Sequence, residues 1–276
     1  MNRFVVHRDF LWETFGCENC SFKLNFLLLI VEEKKGNRMS LNDVKVIAFD
    51  ADDTLWENEN FFRDAEHQFC KVMAEYEASE EVMKKLFRTE IQNLELYGYG
   101  VKAFILSLME TALEVSNRKV RPEQIEAIVE IGKSMLMKDV ILLDGIVDLL
   151  DKLYGRYRLV VATKGDLLDQ ERKLKKSGLR KYFHHIEIMT HKRAKNYQEL
   201  LKHLDIPGEQ FFMVGNSLKS DVLPVIDLGG YAAHIPYYTT WLYEQMDPED
   251  IKSDRFFELK QIHDVLDLFE KAKVKL

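Results

Sequence analysis

The run Val46-Ile47-Ala48-Phe49 leads without a break into Asp50, Asp52 and Asp53. An apolar, β-branched run bounded by charge reads as a strand buried on both faces, which a parallel sheet covered by helices requires. Burying one carboxylate at the end of such a strand is costly unless it is paired, hydrogen-bonded or bound to a cation. Three carboxylates within four residues ask for a metal.

Downstream the texture is first helical, then alternating. Between Asn58 and about Lys138, apolar residues recur at helical spacing, as in Phe61, Phe62, Ala65, Phe69, Val72 and Met73. Four amphipathic helices joined by short turns predict a small bundle inserted after the first strand, with its methionines and aromatics as core. From Gly145 on, helices alternate with the strands Arg158 to Ala162, Ile186 to Met189, Phe211 to Val214 and Tyr231 to Ile235. That alternation predicts an α/β fold, a doubly wound parallel sheet (Rossmann-like), with 41–57 and 139–276 as its core and 58–138 as an all-helical insertion. Gly178 is placed to end one helix in the left-handed conformation. Arg172, Lys173, Lys175 and Lys176 on that helix read as a solvated face. Trp241, Phe256, Phe257, Ile262, Val265, Leu266 and Phe269 read as a structural C-terminal loop and helix.

Residues 1–40 differ in texture and read as an N-terminal extension outside the core, the folded domain starting near Met39. Their apolar run, Leu24 to Val31, is far shorter than the roughly 20 residues that span a bilayer. Its charged flanks match no secretory signal, so no membrane association is expected. The net charge of −7 argues against an open nucleic-acid-binding surface, which needs a basic face. Cys17, Cys20 and Cys70 are too few and too uneven for a disulfide framework, and a reducing cytoplasm fits best. The Cys17-x-x-Cys20 pair has no second half and reads as two solvated thiols. Nothing in the sequence sets an oligomeric state.

Ligands of doubly wound sheets bind beyond the carboxyl ends of the strands. Three such ends carry polar residues: Asp50-x-Asp52-x-Thr54, then Thr163, then Gly215-Asn216-Ser217 with Asp221, while Lys192 lies between the last two. In this order the residues resemble the haloacid dehalogenase superfamily of aspartate-nucleophile hydrolases, over roughly Val44 to Pro236, including a helical cap between the first and second motifs. The resemblance implies Asp50 as the nucleophile that forms an aspartyl phosphate. Asp52, two residues on, then serves as proton shuttle to the leaving oxygen and from the attacking water. Thr163, Lys192 and Asn216 are implied around the phosphate, whose spread charge needs donors and cations. It further implies Mg²⁺ held by the carboxylates of Asp50 and Asp221 and the backbone carbonyl of Asp52. Thr54 supports the loop, and Asp53 is assigned no chemistry.

The pattern departs from the commoner one at three places. Asn216 stands where an aspartate is frequent, Lys164 follows the motif threonine in place of an asparagine, and no proline follows Lys192, which leaves Lys195 as its rival. An acid at Asp52 favours phosphoester over carbon–halogen hydrolysis, since an alkoxide benefits from protonation and halide does not. The expected activity is a Mg²⁺-dependent phosphatase acting on a small phosphorylated metabolite. A nucleoside monophosphate 5'-nucleotidase is one alternative. A non-catalytic phospholigand-binding or interaction protein is the other, which the intact Asp50 and Asp52 count against. Specificity is expected in the cap and first loop, with Trp56, Tyr97 and Tyr99 as candidate contacts to the leaving group, against ordinary packing at a helix end.

Overall fold

The computed structural model describes residues 41–274. Cys17, Cys20, the apolar run from Leu24 and the boundary expected near Met39 lie outside the described residues. Six parallel strands, β1 (Val46–Phe49), β2 (Arg158–Lys164), β3 (His185–Met189), β4 (Phe211–Gly215), β5 (Tyr231–His234) and β6 (Phe256–Glu258), form one sheet in the order β3-β2-β1-β4-β5-β6. Every residue of β1 is buried. Val46 and Ala48 share a core with Tyr197, Leu200 and Leu204, whereas Ile47 and Phe49 share the opposite one with Leu149, Leu153 and Phe269. This is the two-residue alternation of a strand covered on both faces, and each side chain so buried contributes roughly 1.5–3 kcal/mol. The order reverses between β1 and β4, so the ends of those two strands border the crevice where such sheets bind ligands.

Between β1 and β2 come α1 (Glu59–Met73), α2 (Ser79–Tyr97), α3 (Val101–Val115) and α4 (Pro122–Met137), then α5 (Ile146–Leu153). The first four pack around a separate core that includes Phe69, Met73, Leu86, Phe104, Leu108 and Ile128. Pro122 sits in the first turn of α4, where its missing N–H costs nothing. The Gln124 amide accepts from Arg121 N at 2.9 Å and donates to Val72 O at 3.1 Å, tying α4 to α1. Helices α6 (Leu167–Lys176), α7 (Ala194–Leu204), the short α8 (Leu223–Ile226) and α9 (Asp264–Val274) complete the layers. Gly178 takes the left-handed conformation expected of it, with φ +71°. Among the described residues no helix is long and apolar enough to cross a membrane.

Three local expectations are corrected. Phe256 and Phe257 do not lie in a loop or helix but form β6, paired with β5; three residues are too few to display an alternation. The alternation of strands and helices places a helix from about Asp221 to Leu228, but the chain there begins as a wide turn over Leu218–Val222. Pro224 has no N–H to give the Ser220 carbonyl, and that oxygen accepts from Tyr197 Oη at 3.1 Å instead. Nor is the charged face of α6 simply solvated. Arg172 donates to Leu136 O at 3.1 Å, and Lys176 reaches Met137 O and Lys138 O at 3.3 and 3.2 Å. These cations cover the last carbonyls of α4, where the helix dipole favours positive charge.

Asp53, to which the sequence assigned no chemistry, takes a left-handed φ of 58° and turns its carboxylate onto the start of α1. It accepts from Asn58 N at 2.8 Å and from Glu59 N at 3.0 Å, while Asn58 itself makes no side-chain cap. Asp53→Ala is expected to leave these N–H groups unpaired and cost about 1–2 kcal/mol of stability, read from urea unfolding at constant m-value.

Candidate active site

Asp50 leaves β1 with its backbone N–H donating to Val214 O at 2.9 Å, which fixes it against the end of β4. Beside it, the loop between β3 and α7 delivers Lys192, whose side chain is about 1% exposed. The ammonium bonds Asp50 Oδ1 and, at 2.6 Å, Asp221 Oδ1, so one buried cation spans two carboxylates from opposite sides of the crevice. Asp221 Oδ2 accepts from Ser217 N at 3.0 Å. That carboxylate packs onto Gly215, where a Cβ would lie 2.2 Å from Oδ2, so only glycine admits it. Burial holds Asp50 above the usual carboxylate range, Lys192 pulling it down and Asp221 pushing it up. Burial alone would lower Lys192, but Asp221 and Asp50 together hold its ammonium above the usual range.

Asp52 is held by three donors. Trp56 Nε1 and Lys173 Nζ bond its Oδ1 at 2.7 and 2.6 Å, and Gln170 Nε2 bonds its Oδ2 at 2.8 Å. Thr163 is buried at the end of β2, and Asn216 Oδ1 accepts from Thr54 Oγ1 at 3.4 Å, so Thr54 does brace the two loops. Asp50, Asp52, Thr163, Lys192, Asn216 and Asp221 all line one cavity of about 180 Å³, roofed by residues of α1, α2 and α3.

Other candidates are placed elsewhere. Trp56 is 1% exposed and does not line this cavity; it orients Asp52 from behind. Tyr97 points to solvent, bonding Glu110 at 2.9 Å, and also lies outside the cavity. Tyr99 does line it, with the Lys164 ammonium 4.4 Å above its ring. Lys195 is exposed on α7, so its rival Lys192 is the lysine that reaches the carboxylates.

Several cavity residues beyond Lys164 escaped the sequence reading. Lys164 donates to Glu244 Oε1 at 2.6 Å and to Ser220 Oγ at 2.9 Å, while Glu244 Oε2 accepts from Ser217 Oγ and Ser220 Oγ. Trp241 and Glu244 thus wall the site instead of serving only as C-terminal packing. Glu59, Glu66 and Glu90 line the bundle side, the first two paired with Arg63 at 2.9 and 3.0 Å. Burial, aided by Glu66 and Glu59, pushes Glu90 up to about 8. A single glutamate on an otherwise helical repeat carries no signal of this. The Gln170-x-x-Lys173 spacing was visible, but only the fold aims both residues at Asp52.

Among the described residues no three His, Cys, Asp or Glu side chains gather as a ligand cluster. Two carboxylates do converge, Asp50 and Asp221, and with one lysine between them the buried trio keeps a formal charge of −1. Hard oxygens limited to one or two carboxylates are what Mg²⁺ accepts, its remaining positions taken by carbonyls and water. The residues fit that ion.

A model of the haloacid dehalogenase-like hydrolases matches residues 44–229. The chain belongs to this family. A haloacid dehalogenase-like hydrolase from Xanthomonas campestris is 33% identical, over 85% of this chain and 95% of that one, with a TM-score of 0.74. A predicted phosphoglycolate phosphatase from Haemophilus somnus and a 2-haloacid dehalogenase from Pseudomonas syringae share the fold. The first is 16% identical over 82% of this chain and 98% of its own, TM-score 0.57; the second is 16% identical over 83% and 99%, TM-score 0.56. Comparison with curated proteins gave no significant match. As a haloacid dehalogenase-like hydrolase, the chain carries the family's Rossmann-like sheet, with the carboxylates of Asp50 and Asp221 gathered at its switch point.

Two outcomes are expected. Lys192→Met leaves two buried carboxylates facing each other and should cost about 3–5 kcal/mol in urea unfolding without divalent ions. Glu90 keeps its proton to about pH 8 in the folded chain but loses it near 4.5 when unfolded. The folded state therefore binds more protons between these values, and stability falls as pH rises through that window. Glu90→Gln should flatten the fall, by at most about 1.4 kcal/mol per pH unit, matching the unsubstituted chain near pH 4 and exceeding it at pH 8–9.

Proposed function

We propose that this hydrolase is a Mg²⁺-dependent phosphatase acting on a small phosphorylated metabolite through an aspartyl-phosphate intermediate. The observation that carries this reading is the carboxylate of Asp52 in the same cavity as Asp50, since an acid at that position is useful to a leaving alkoxide and of no use to halide. An Asp50 oxygen attacks phosphorus as the bond to the leaving oxygen breaks, and Asp52 gives that oxygen its proton. Asp52 then takes a proton from water as it attacks the phosphoenzyme, releasing phosphate and regenerating the Asp50 carboxylate. Lys192 and the Thr163 hydroxyl are suited to offset charge spreading over the phosphoryl oxygens. Mg²⁺ held by Asp50, Asp221 and the Asp52 carbonyl would neutralise charge between nucleophile and phosphate.

The cavity also bears on the leaving group. Its lysines are all engaged, Lys192 with Asp50 and Asp221, Lys173 with Asp52 and Lys164 with Glu244. The opposite wall carries Glu59, Glu66 and Glu90. Burial raises all three, to about 7 for Glu59 and about 8 for Glu90, so near neutral pH this wall offers carboxyl hydrogen bonds more than negative charge, which favours hydroxyl-bearing leaving groups. A compact cavity favours a small leaving group over a whole nucleoside. A screen of sugar phosphates, nucleoside monophosphates and small phosphoesters with and without Mg²⁺ tests the reading. Hydrolysis should need Mg²⁺ and fall by at least about 10³-fold in Asp50→Asn. Activity surviving in Asp50→Asn would sink the mechanism, and no hydrolysis of any ester would promote the phospholigand-binding reading.

A further inference from the structure

Resting on the phosphatase reading, we propose that Lys173 and Gln170 of α6 are positioning residues for the proton shuttle: they orient the Asp52 carboxylate so that Oδ2 is the oxygen that carries the proton. Oδ1 accepts two hydrogen bonds, from Trp56 Nε1 at 2.7 Å and Lys173 Nζ at 2.6 Å, and is thereby filled. Oδ2 accepts only one, from Gln170 Nε2 at 2.8 Å, and keeps a site for a proton.

Neither residue is free to turn away. Gln170 is buried, and its Nε2 also bonds Lys164 O at 2.8 Å, so the amide is pinned between the end of β2 and Asp52. Its Oε1 is buried without a partner. Reversing the amide would set that acceptor against two other acceptors, so the observed orientation is the one the contacts allow. Lys173 is held as well, its side chain 18% exposed and its ammonium also bonding Asn58 Oδ1 at 3.2 Å. Asn58 is the residue whose N–H is held by Asp53 just before α1. The shuttle is therefore tied through Lys173 to the point where the chain enters the bundle.

Trp56 alone would fix one bond of the carboxylate and leave it free to rotate about that bond; Lys173 and Gln170 supply the other two. Protonation of the leaving oxygen depends on this, and so does the later deprotonation of water, whereas attack by Asp50 uses neither residue; only the first of these steps differs between esters. A leaving group that departs as a stable anion should be much less sensitive than an alkoxide.

The test compares p-nitrophenyl phosphate, whose phenolate leaves readily, with the alkyl phosphomonoester hydrolysed fastest by the unsubstituted enzyme. Lys173→Met and Gln170→Leu are expected to lower kcat/KM, which excludes the dephosphorylation step common to both esters, at least about tenfold for the alkyl ester and about threefold or less for p-nitrophenyl phosphate. Lys173→Arg should recover most of the alkyl-ester loss. Equal losses on both esters would mean a merely structural role and overturn the proposal while leaving the phosphatase reading intact. So would an alkyl-ester rate unchanged in both variants. If Lys173→Met does not fold, Gln170→Leu and Lys173→Arg decide by the same ratio. Hydrolysis of neither ester by the unsubstituted enzyme would defeat the phosphatase reading, and the proposal with it.

Discussion

The buried ammonium of Lys192, shared between Asp50 and Asp221, is the interaction on which the rest of the site depends. It joins three segments that are distant in sequence: the end of β1, the loop after β3 and the turn after β4. Two carboxylates at close quarters in an apolar setting would otherwise repel each other and resist ionisation. Such an arrangement is poor evidence of stability for its own sake, because desolvating three charges offsets much of their attraction. It makes sense as a centre kept charged for use. Gly215 serves the same end, admitting the Asp221 carboxylate where any side chain would collide with it.

Around this centre the protein places hydrogen bonds that aim groups more than they strengthen the fold. Asp53 turns back to hold the start of α1, while Asp52, its neighbour, points into the cavity under the control of Trp56, Gln170 and Lys173. Adjacent aspartates thus divide their work through backbone conformation, the left-handed φ at Asp53 turning its carboxylate onto the N–H groups at the start of α1. The basic helix α6 contributes twice. It supplies two donors to Asp52 from one side, and Arg172 and Lys176 to the end of α4 from another, so this charged helix joins the bundle to the sheet.

Some of this was open to reading from the residues. Asp50, Asp52, Thr163, Lys192, Asn216 and Asp221 were all singled out, and all line one cavity, because the end of a buried strand is a place where polar residues are conspicuous. Of the three aromatics expected at the leaving group from the cap and first loop, Tyr99 lines the cavity, whereas Trp56 and Tyr97 do not: one is turned inward by its indole bond to Asp52, the other outward to Glu110. Glu90, Glu244 and Lys173 were illegible as cavity residues, whereas Lys164 was marked by its place after the motif threonine. A charged residue on a helix or loop looks the same in sequence whether it faces solvent or a cavity, and the difference lies in what packs opposite.

By itself, then, the sequence determined the class of the fold and the identity of its acidic centre. Periodicity distinguishes a doubly buried strand from an amphipathic helix, and carboxylates cannot follow such a strand without a chemical reason. Only the tertiary structure decided which lysine reaches those carboxylates and which donors hold the shuttle. It alone showed that the wall facing them is acidic, because these depend on contacts between segments more than a hundred residues apart, as between Lys173 and Asp52, and no local pattern encodes such a meeting.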